Sequence, residues 1–169
     1  MGGMKHAARI LPAVLLAAGL MGCPWSGSPR VGDGAPVLSI AQWLNGGPYD
    51  VRDGAHVYVV AFWSAYCEFC IDAIPHLTEL QAAYADKGVV VIGVAYESAE
   101  IIAPFVVQQG DAMAYCVAVD DGTATFDAYG VSSIPRVFVV NTAGKVAWRG
   151  HPADDGIEDA LDELTGVAR

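Results

Sequence analysis

The chain has 169 residues, of which 54% are hydrophobic and 17% are charged, and its formal net charge is −10. This length fits one domain with a short appendage, and the composition excludes an intrinsically disordered chain. Only 9 Lys and Arg residues stand against 19 Asp and Glu residues, which argues against a nucleic-acid-binding protein. Four cysteines are too few for a disulfide-stapled scaffold, so each is interpreted separately.

Residues 1–22 have the pattern of a lipoprotein-type signal peptide. Lys5 and Arg9 precede an apolar run that ends at Met21 and is too short to span a membrane. The run leads into Leu-Met-Gly-Cys23, which resembles the bacterial lipobox. We therefore expect lipidation at Cys23 and anchoring on the exported, periplasmic side of the cell envelope. An ordinary cleavage site and an uncleaved anchor are the alternatives.

The next segment, residues 23–33, is rich in Pro, Gly and Ser, and we expect it to be a flexible tether. A single domain is then expected over residues 34–169. Export matters for the chemistry because a compartment beyond the membrane permits disulfides.

Strand and helix patterns alternate after an extended lead-in at residues 35–53. β-Rich apolar runs predict strands over residues 56–63, 89–95, 114–119, 136–140 and 145–149, the last two joined by a turn. Helical spacing predicts helices over residues 68–87, 98–109, 123–129 and 153–167. This alternation predicts an α/β sandwich with a mixed sheet.

A C-x-x-C pair, Cys67 and Cys70, falls where the first long strand gives way to the first long helix. Unpaired amides and the dipole at a helix N-terminus favour negative charge, so we expect a lowered pKa for Cys67. Cys70 follows one turn later and can reach the same sulfur. The pair could also be half of a zinc site, but the sequence has no second Cys or His pair at finger spacing.

Around this pair the chain resembles the FWAxWCxxC segment of thioredoxin-like proteins, since it reads Phe-Trp-Ser-Ala-Tyr66-Cys67-Glu-Phe-Cys70. Pro75 matches their helix-kinking proline, and residues 131–135 match the loop that carries their cis-proline. The helical segment near residues 98–109 and the lead-in are similar to the TlpA/ResA branch of exported thiol-disulfide reductases. The resemblance implies a thioredoxin-like three-layer α/β/α sandwich with a mixed central sheet, a helix-strand insert and an N-terminal extended lead-in.

The same resemblance implies a substrate-contact patch. Pro135 is expected in the cis form, which would bring the Ile134 backbone alongside Cys67, where a substrate strand could pair with it. Tyr66 stands where Trp is usual, and Phe69 stands where Pro is common, so both enlarge the apolar surface. We refer to Tyr66, Phe69, Ile134 and Pro135 as the contact patch.

Two charged residues near the expected site were also identified from the resemblance. Glu97 matches a glutamate that ResA-like proteins place near the active site, which implies proton transfer to and from Cys70; the alternative is a solvated carboxylate. Arg136 stands where Thr is common and would place a cation near the substrate groove. Neither a cofactor nor a metal is implied.

Glu68 bears on the direction of electron flow. A cation between the two cysteines stabilises the thiolate and so makes a protein oxidising, whereas a carboxylate acts in the opposite direction. The sequence therefore predicts a reductant of disulfides in exported proteins, with apocytochrome c among the candidates. The resemblance implies a membrane thiol-relay protein as electron donor. A thiol oxidase or isomerase using the same site and a Cu(I)-binding metallochaperone are the alternatives.

Two remaining residues have simpler interpretations. Cys116 alternates with apolar neighbours in a strand pattern, which is typical of an inert core thiol. His76 follows the kink proline, and we favour a surface position over a role in the chemistry.

Overall fold

The structure is a computed structural model of the chain, and it describes residues 27–167. Within these residues, no helix has the length and apolar character needed to cross a membrane. The strands are β1 (Ile40–Asn45), β2 (Val57–Trp63), β3 (Val89–Ala95), β4 (Cys116–Asp120), β5 (Arg136–Val140) and β6 (Val146–Gly150). The helices are α1 (Glu68–Asp72), α2 (Ile74–Tyr84), α3 (Ala99–Gln109), α4 (Ala124–Ala128) and α5 (Gly156–Thr165).

The strands form one mixed sheet in the order β1-β4-β3-β2-β5-β6. β2 and β3 are parallel, as are β3 and β4, whereas β1, β5 and β6 join antiparallel to their neighbours. The predicted mixed sheet is therefore confirmed. Since β2 lies in the middle and all seven of its residues are buried, its continuous apolar run is explained by burial on both faces.

Hydrophobic clusters cover both faces of the sheet. Side chains alternate across a strand, so Trp63 of β2 joins the cluster that contains Cys70 and residues of α2, α3 and α5. Phe62 joins the other cluster, where its ring lies 4.9 Å from that of Phe126 in α4 and 5.8 Å from that of Phe138 in β5, centroid to centroid. The predicted thioredoxin-like three-layer sandwich is confirmed.

The helix expected over residues 68–87 is divided in the structure. α1 ends at Asp72, α2 begins at Ile74, and a short 3-10 turn follows α2 at Ala85–Lys87. Pro75 lies in the first turn of α2. There its missing N–H costs nothing, whereas inside one continuous helix its ring would clash with the carbonyl four residues earlier.

The segment expected to be a tether differs from that expectation where it is described. The backbone of Gly32 donates to the carbonyl of Val146 (2.8 Å), and the Val146 N–H donates to the carbonyl of Asp33 (2.9 Å). The Arg149 side chain donates to the carbonyl of Pro29 at 2.8 Å, and Pro29 is buried. The packed domain therefore begins before residue 34. Residues 23–26, Cys23 included, and the expected signal peptide over residues 1–22 lie outside the described residues.

Candidate active site

The two cysteines of the C-x-x-C motif lie where β2 gives way to α1. Cys67 has extended backbone dihedrals and is the N-cap of α1, and its Sγ accepts a hydrogen bond from the Cys70 backbone N–H at 3.2 Å. The Cys67 carbonyl accepts from the N–H groups of Cys70 and Ile71. One backbone donor, the Cys70 N–H, thus points at the Cys67 sulfur, as expected for a site that stabilises a thiolate.

Cys67 and Cys70 form a disulfide, with their Cα atoms 5.2 Å apart. Their environments differ, because Cys67 is half-buried whereas Cys70 is only 2% exposed. An incoming disulfide can therefore reach Cys67 but not Cys70. This asymmetry fits one attacking and one resolving sulfur.

Glu97 lies at the same edge of the sheet, two residues beyond the end of β3. Trp63 pairs with Ala95 where the parallel strands β2 and β3 end, so the residues that follow them meet. Glu97 is 7% exposed, and its Oε1 accepts hydrogen bonds from the Ser64 hydroxyl and from the Ala65 N–H at 3.0 Å. Its hydrogen bonds thus go to the loop that carries Cys67.

The second carboxylate oxygen of Glu97, Oε2, is buried and has no hydrogen-bond partner among residues 27–167. A buried acceptor without a donor is costly, and this oxygen is open to a further hydrogen bond. Glu97 was predicted from the sequence, whereas Ser64, whose hydroxyl donates to the Glu97 carboxylate, was not. The only sequence signal for Ser64 was its place three residues before Cys67.

In the contact patch, Tyr66 precedes α1 and Phe69 lies in the first turn of that helix, whereas Ile134 and Pro135 lie in the loop before β5. Tyr66 and Phe69 are 76% and 73% exposed, although both are large and aromatic. The Ile134–Pro135 peptide bond is cis, as expected. Ile134 is half-buried and packs against the cluster that contains Cys70. Exposed aromatic side chains beside a half-buried disulfide are typical of a surface that binds another chain.

The remaining candidates lie apart from the reacting sulfurs. Cys116 is a free, buried cysteine in β4, and burial raises the pKa of its thiol to about 12. His76 is half-buried and lines a cavity of about 430 Å³ together with Phe69 and His151. Within residues 27–167, no three His, Cys, Asp or Glu side chains are grouped so that they could hold a metal ion.

The fold and the site define a thioredoxin-like thiol-disulfide oxidoreductase, in which an asymmetric Cys67–Cys70 pair caps a helix beside a cis-proline loop. Residues 30–164 match the sequence model of the Redoxin family, and the chain belongs to that family.

Similar proteins agree with this class. The thiol-disulfide oxidoreductase ResA of Bacillus cereus is 29% identical over 140 residues, which cover 80% of this chain and 79% of that protein. The ResA protein of Halalkalibacterium halodurans is 29% identical over 120 residues, covering 69% of this chain and 66% of that one. Among solved structures, a Chlorobium tepidum protein described as the thiol:disulfide interchange protein DsbE superposes with a TM-score of 0.70 at 28% identity, covering 82% of this chain and 100% of that one.

Proposed function

We propose that this oxidoreductase is exported, anchored to the membrane and reducing, and that it acts on disulfides in exported proteins. The observation that carries the proposal is the difference between the two sulfurs, one accessible at the helix cap and one buried behind it. It supports a reaction in which Cys67 meets the substrate and Cys70 completes the exchange.

The reaction begins with both cysteines reduced. The Cys67 thiolate attacks one sulfur of the substrate disulfide, so a Cys67–substrate bond forms and the other substrate sulfur leaves as a thiolate. The Cys70 thiolate then attacks Cys67 Sγ, which releases the second substrate sulfur and forms the Cys67–Cys70 disulfide. The substrate gains two electrons, and a membrane thiol-relay protein returns two electrons to this chain.

Glu97 supports the second step. Cys70 must lose a proton before it attacks, yet it is 2% exposed and cannot pass that proton directly to bulk water. The unpartnered Oε2 of Glu97, at the edge of the sheet that carries the Cys67 loop, is the acceptor that we assign to this proton.

Glu68 supports the reducing direction. Its exposed carboxylate follows Cys67 directly, and neither residue between the cysteines is a cation. A negative charge beside the sulfur destabilises the Cys67 thiolate and hence the reduced form of the protein. A protein whose reduced form is less stable gives up its electrons more readily, so it is a stronger reductant. Solvent screens this exposed charge, so its contribution is small.

Location and partners complete the proposal. The lipobox-like sequence at Cys23 supports a lipid anchor on the periplasmic side of the bacterial envelope, where disulfides persist. The similarity to ResA and DsbE proteins supports exported substrates, and the haem-binding cysteines of apocytochrome c are the candidate we would test first.

The test uses variants that stop the reaction halfway. Reduced Cys70→Ser, mixed with a disulfide-containing apocytochrome c peptide, is expected to form a stable mixed disulfide at Cys67 that mass spectrometry detects. Cys67→Ser is the matched control and is expected to form none, because Cys70 is buried. Trapping through Cys70 instead of Cys67 would contradict the assignment, and trapping by neither variant would contradict the activity on this substrate.

A further inference from the structure

A small polar cavity lies next to the contact patch, on the α4 side of the sheet. Its volume is about 160 Å³, and we call it the arginine cavity. Two of the nine Lys and Arg residues of this acidic chain line it, and its lining contains no carboxylate. The lining residues are Ser28, Gly130, Ser132, Ser133, Arg136 and Arg149.

Pairing of the last two strands places both arginines on one face. Arg149 of β6 lies directly opposite Phe138 of β5, and Arg136 precedes Phe138 by two residues on the same strand. Since residues two apart in a strand share a face, both guanidinium groups lie on the side of Phe138. Cross-strand diagonal neighbours of this kind are within reach of long side chains.

The N-terminal segment closes the cavity on one side. Arg149 Nη1 donates to Ser28 Oγ at 3.0 Å and to the Pro29 carbonyl at 2.8 Å, which holds this segment in place. Gly130 has a φ of 58°, and a Cβ at that position would lie 2.6 Å from the Ser28 backbone nitrogen. The close approach of the two segments therefore requires glycine at position 130.

Arg136 differs from Arg149 because its guanidinium group has no partner in the part of the chain that the structure describes. Its side chain is half-buried, and among residues 27–167 it has neither a hydrogen-bond nor an ion-pair partner. A guanidinium presents a planar fork of donors that matches a carboxylate bidentately. Hydroxyl groups of Ser132 and Ser133 add neutral donors at the same cavity. The set is suited to one anionic oxygen group.

The arginine cavity adjoins the loop that we expect to bind substrate. Ser133 precedes Ile134, and Arg136 follows Pro135. Arg136 also pairs with Phe62 near the end of β2, the strand that leads to Cys67. A chain that pairs with the Ile134 backbone therefore runs past the cavity while its disulfide meets Cys67.

We propose that the arginine cavity binds the carboxylate of an acidic residue in the protein substrate, near the disulfide that Cys67 attacks. This inference rests on the proposed function and specifies the substrate class. The chain as a whole carries a net charge of −10 and repels acidic partners at long range. Arg136 and Arg149 therefore determine where the acidic residue of the substrate binds, and they do not raise the rate at which the two proteins meet.

The test compares peptides that differ at one position. Each peptide contains one disulfide, and a single Glu is moved through the flanking positions, with a Gln and a Lys peptide matched to each. The full-length reduced protein, in detergent, is mixed with each peptide, and the second-order rate constant of reduction is measured. At one position we expect the Glu peptide to react about tenfold faster than its Gln match, as one charge-assisted hydrogen bond would give, and we expect added salt to reduce this ratio.

Substitutions of Arg136 test whether the preference for the Glu peptide arises at the arginine cavity. Arg136→Gln is expected to bring the Glu/Gln ratio close to one, and Arg136→Glu to invert the preference towards the Lys peptide. Arg136→Lys keeps the charge without the fork and is expected to retain part of the ratio. Lys145→Gln removes an exposed cation outside the cavity and is the control that keeps the ratio.

The possible failures are distinguishable. Equal rates for the Glu and Gln peptides at every position, or a ratio that survives Arg136→Glu, would overturn the arginine-cavity inference while leaving the reductase activity in place. Failure of the unmodified protein to reduce any of the peptides would overturn the proposed function itself, and the cavity inference with it.

Discussion

The three cysteines of the described region show how position determines thiol chemistry. Cys67 is half-buried at a helix cap, where the Cys70 backbone N–H donates to its sulfur. Cys70 is buried but bonded to Cys67. Cys116 is the first residue of β4, and burial raises the pKa of its thiol to about 12. We expect reactivity to follow this order.

The first prediction concerns Cys116. With a pKa of about 12, roughly 10⁻⁴ of its thiol is ionised at about pH 8, and its 7% exposure further limits access. Iodoacetamide should leave Cys116 unmodified in the native protein and modify it after unfolding, as peptide mass spectrometry would show. Fast labelling in the native state would contradict the structure.

The second prediction concerns Glu97. Glu97→Gln keeps an acceptor for Ser64 and Ala65 but cannot take up the Cys70 proton. A symmetric chromogenic aryl disulfide releases one thiol when Cys67 attacks and a second when Cys70 resolves. We expect the variant to slow the second release by about 10²-fold, while the first release changes little.

Glu100→Gln is the matched control for this experiment, because it removes an exposed carboxylate in the first turn of α3. Both releases should keep their rates and pH profiles in that variant. A Glu97→Gln protein with an unchanged second release would leave Glu97 a purely structural residue.

At the scale of elements, the turn before β2 contains a compact polar contact. Tyr58 donates to Asp53 Oδ2 at 2.5 Å, and the Ala55 N–H donates to Asp53 Oδ1 at 2.8 Å. Partial desolvation alone would raise the pKa of Asp53, but these hydrogen bonds and those from His56 outweigh it and lower the pKa from 3.8 to about 2. The turn is therefore stabilised by the ionised carboxylate.

The third prediction follows from the direction of that shift. A carboxylate whose pKa is lower in the folded state stabilises the protein above its unfolded pKa, near 3.9, and loses this contribution as the pH falls towards about 2. The free energy of unfolding of the unmodified protein should therefore exceed that of Asp53→Asn near pH 5, and the difference should shrink steadily as the pH falls towards about 2. Urea denaturation at several pH values measures it, and a difference independent of pH would contradict the assignment.

Sequence patterns predicted best the bounds of the strands that are buried on both faces of the sheet. β3 and β5 have the predicted bounds, and β2 differs by one residue, because strands buried on both faces need continuous apolar runs. The predicted long helix was wrong at Ala73, where Pro75 forces a new helix start. The packed domain also begins earlier than the predicted residue 34. The hydrogen bond between Gly32 and Val146 joins segments far apart in sequence, so no local sequence pattern indicates it.

The residues of the site also fall into those that the sequence predicted and those that only the folded structure brings together. Cys67 and Cys70 were identified from their local spacing, and the cis-proline loop was identified from its resemblance to that of thioredoxin-like proteins. Ser64 as the partner of Glu97, and Arg149 as the neighbour of Arg136, depend on which strands lie side by side. The Gly47–Pro48 peptide bond, which is also cis, was not anticipated either.

In the molecule as a whole, the redox site lies at one edge of the sheet, and the N-terminal segment from residue 28 packs against the β5–β6 hairpin. That segment leads back towards Cys23. A lipid anchor at Cys23 would keep the redox site within a limited distance of the membrane, whereas a reductant without an anchor would diffuse away from it.

The fourth prediction tests the proposed anchor. Expressed in a bacterium with lipoprotein processing, the full chain should fractionate with membranes and incorporate labelled fatty acid. Cys23→Ser should lose the label while keeping the redox site, because the substitution leaves Cys67, Cys70 and Glu97 unchanged. Equal labelling of both proteins would contradict lipidation at Cys23.

The reduction potential of the Cys67–Cys70 pair tests the central claim, that this oxidoreductase is a reductant, most directly. The full-length protein would be equilibrated with poised thiol buffers and trapped by alkylation, and the peptide that contains both cysteines would be quantified by mass spectrometry. We expect the reduction potential of the pair to be near or below about −250 mV, in the range of thioredoxin. A value between about −120 and −180 mV, in the range of oxidases and isomerases, would contradict it.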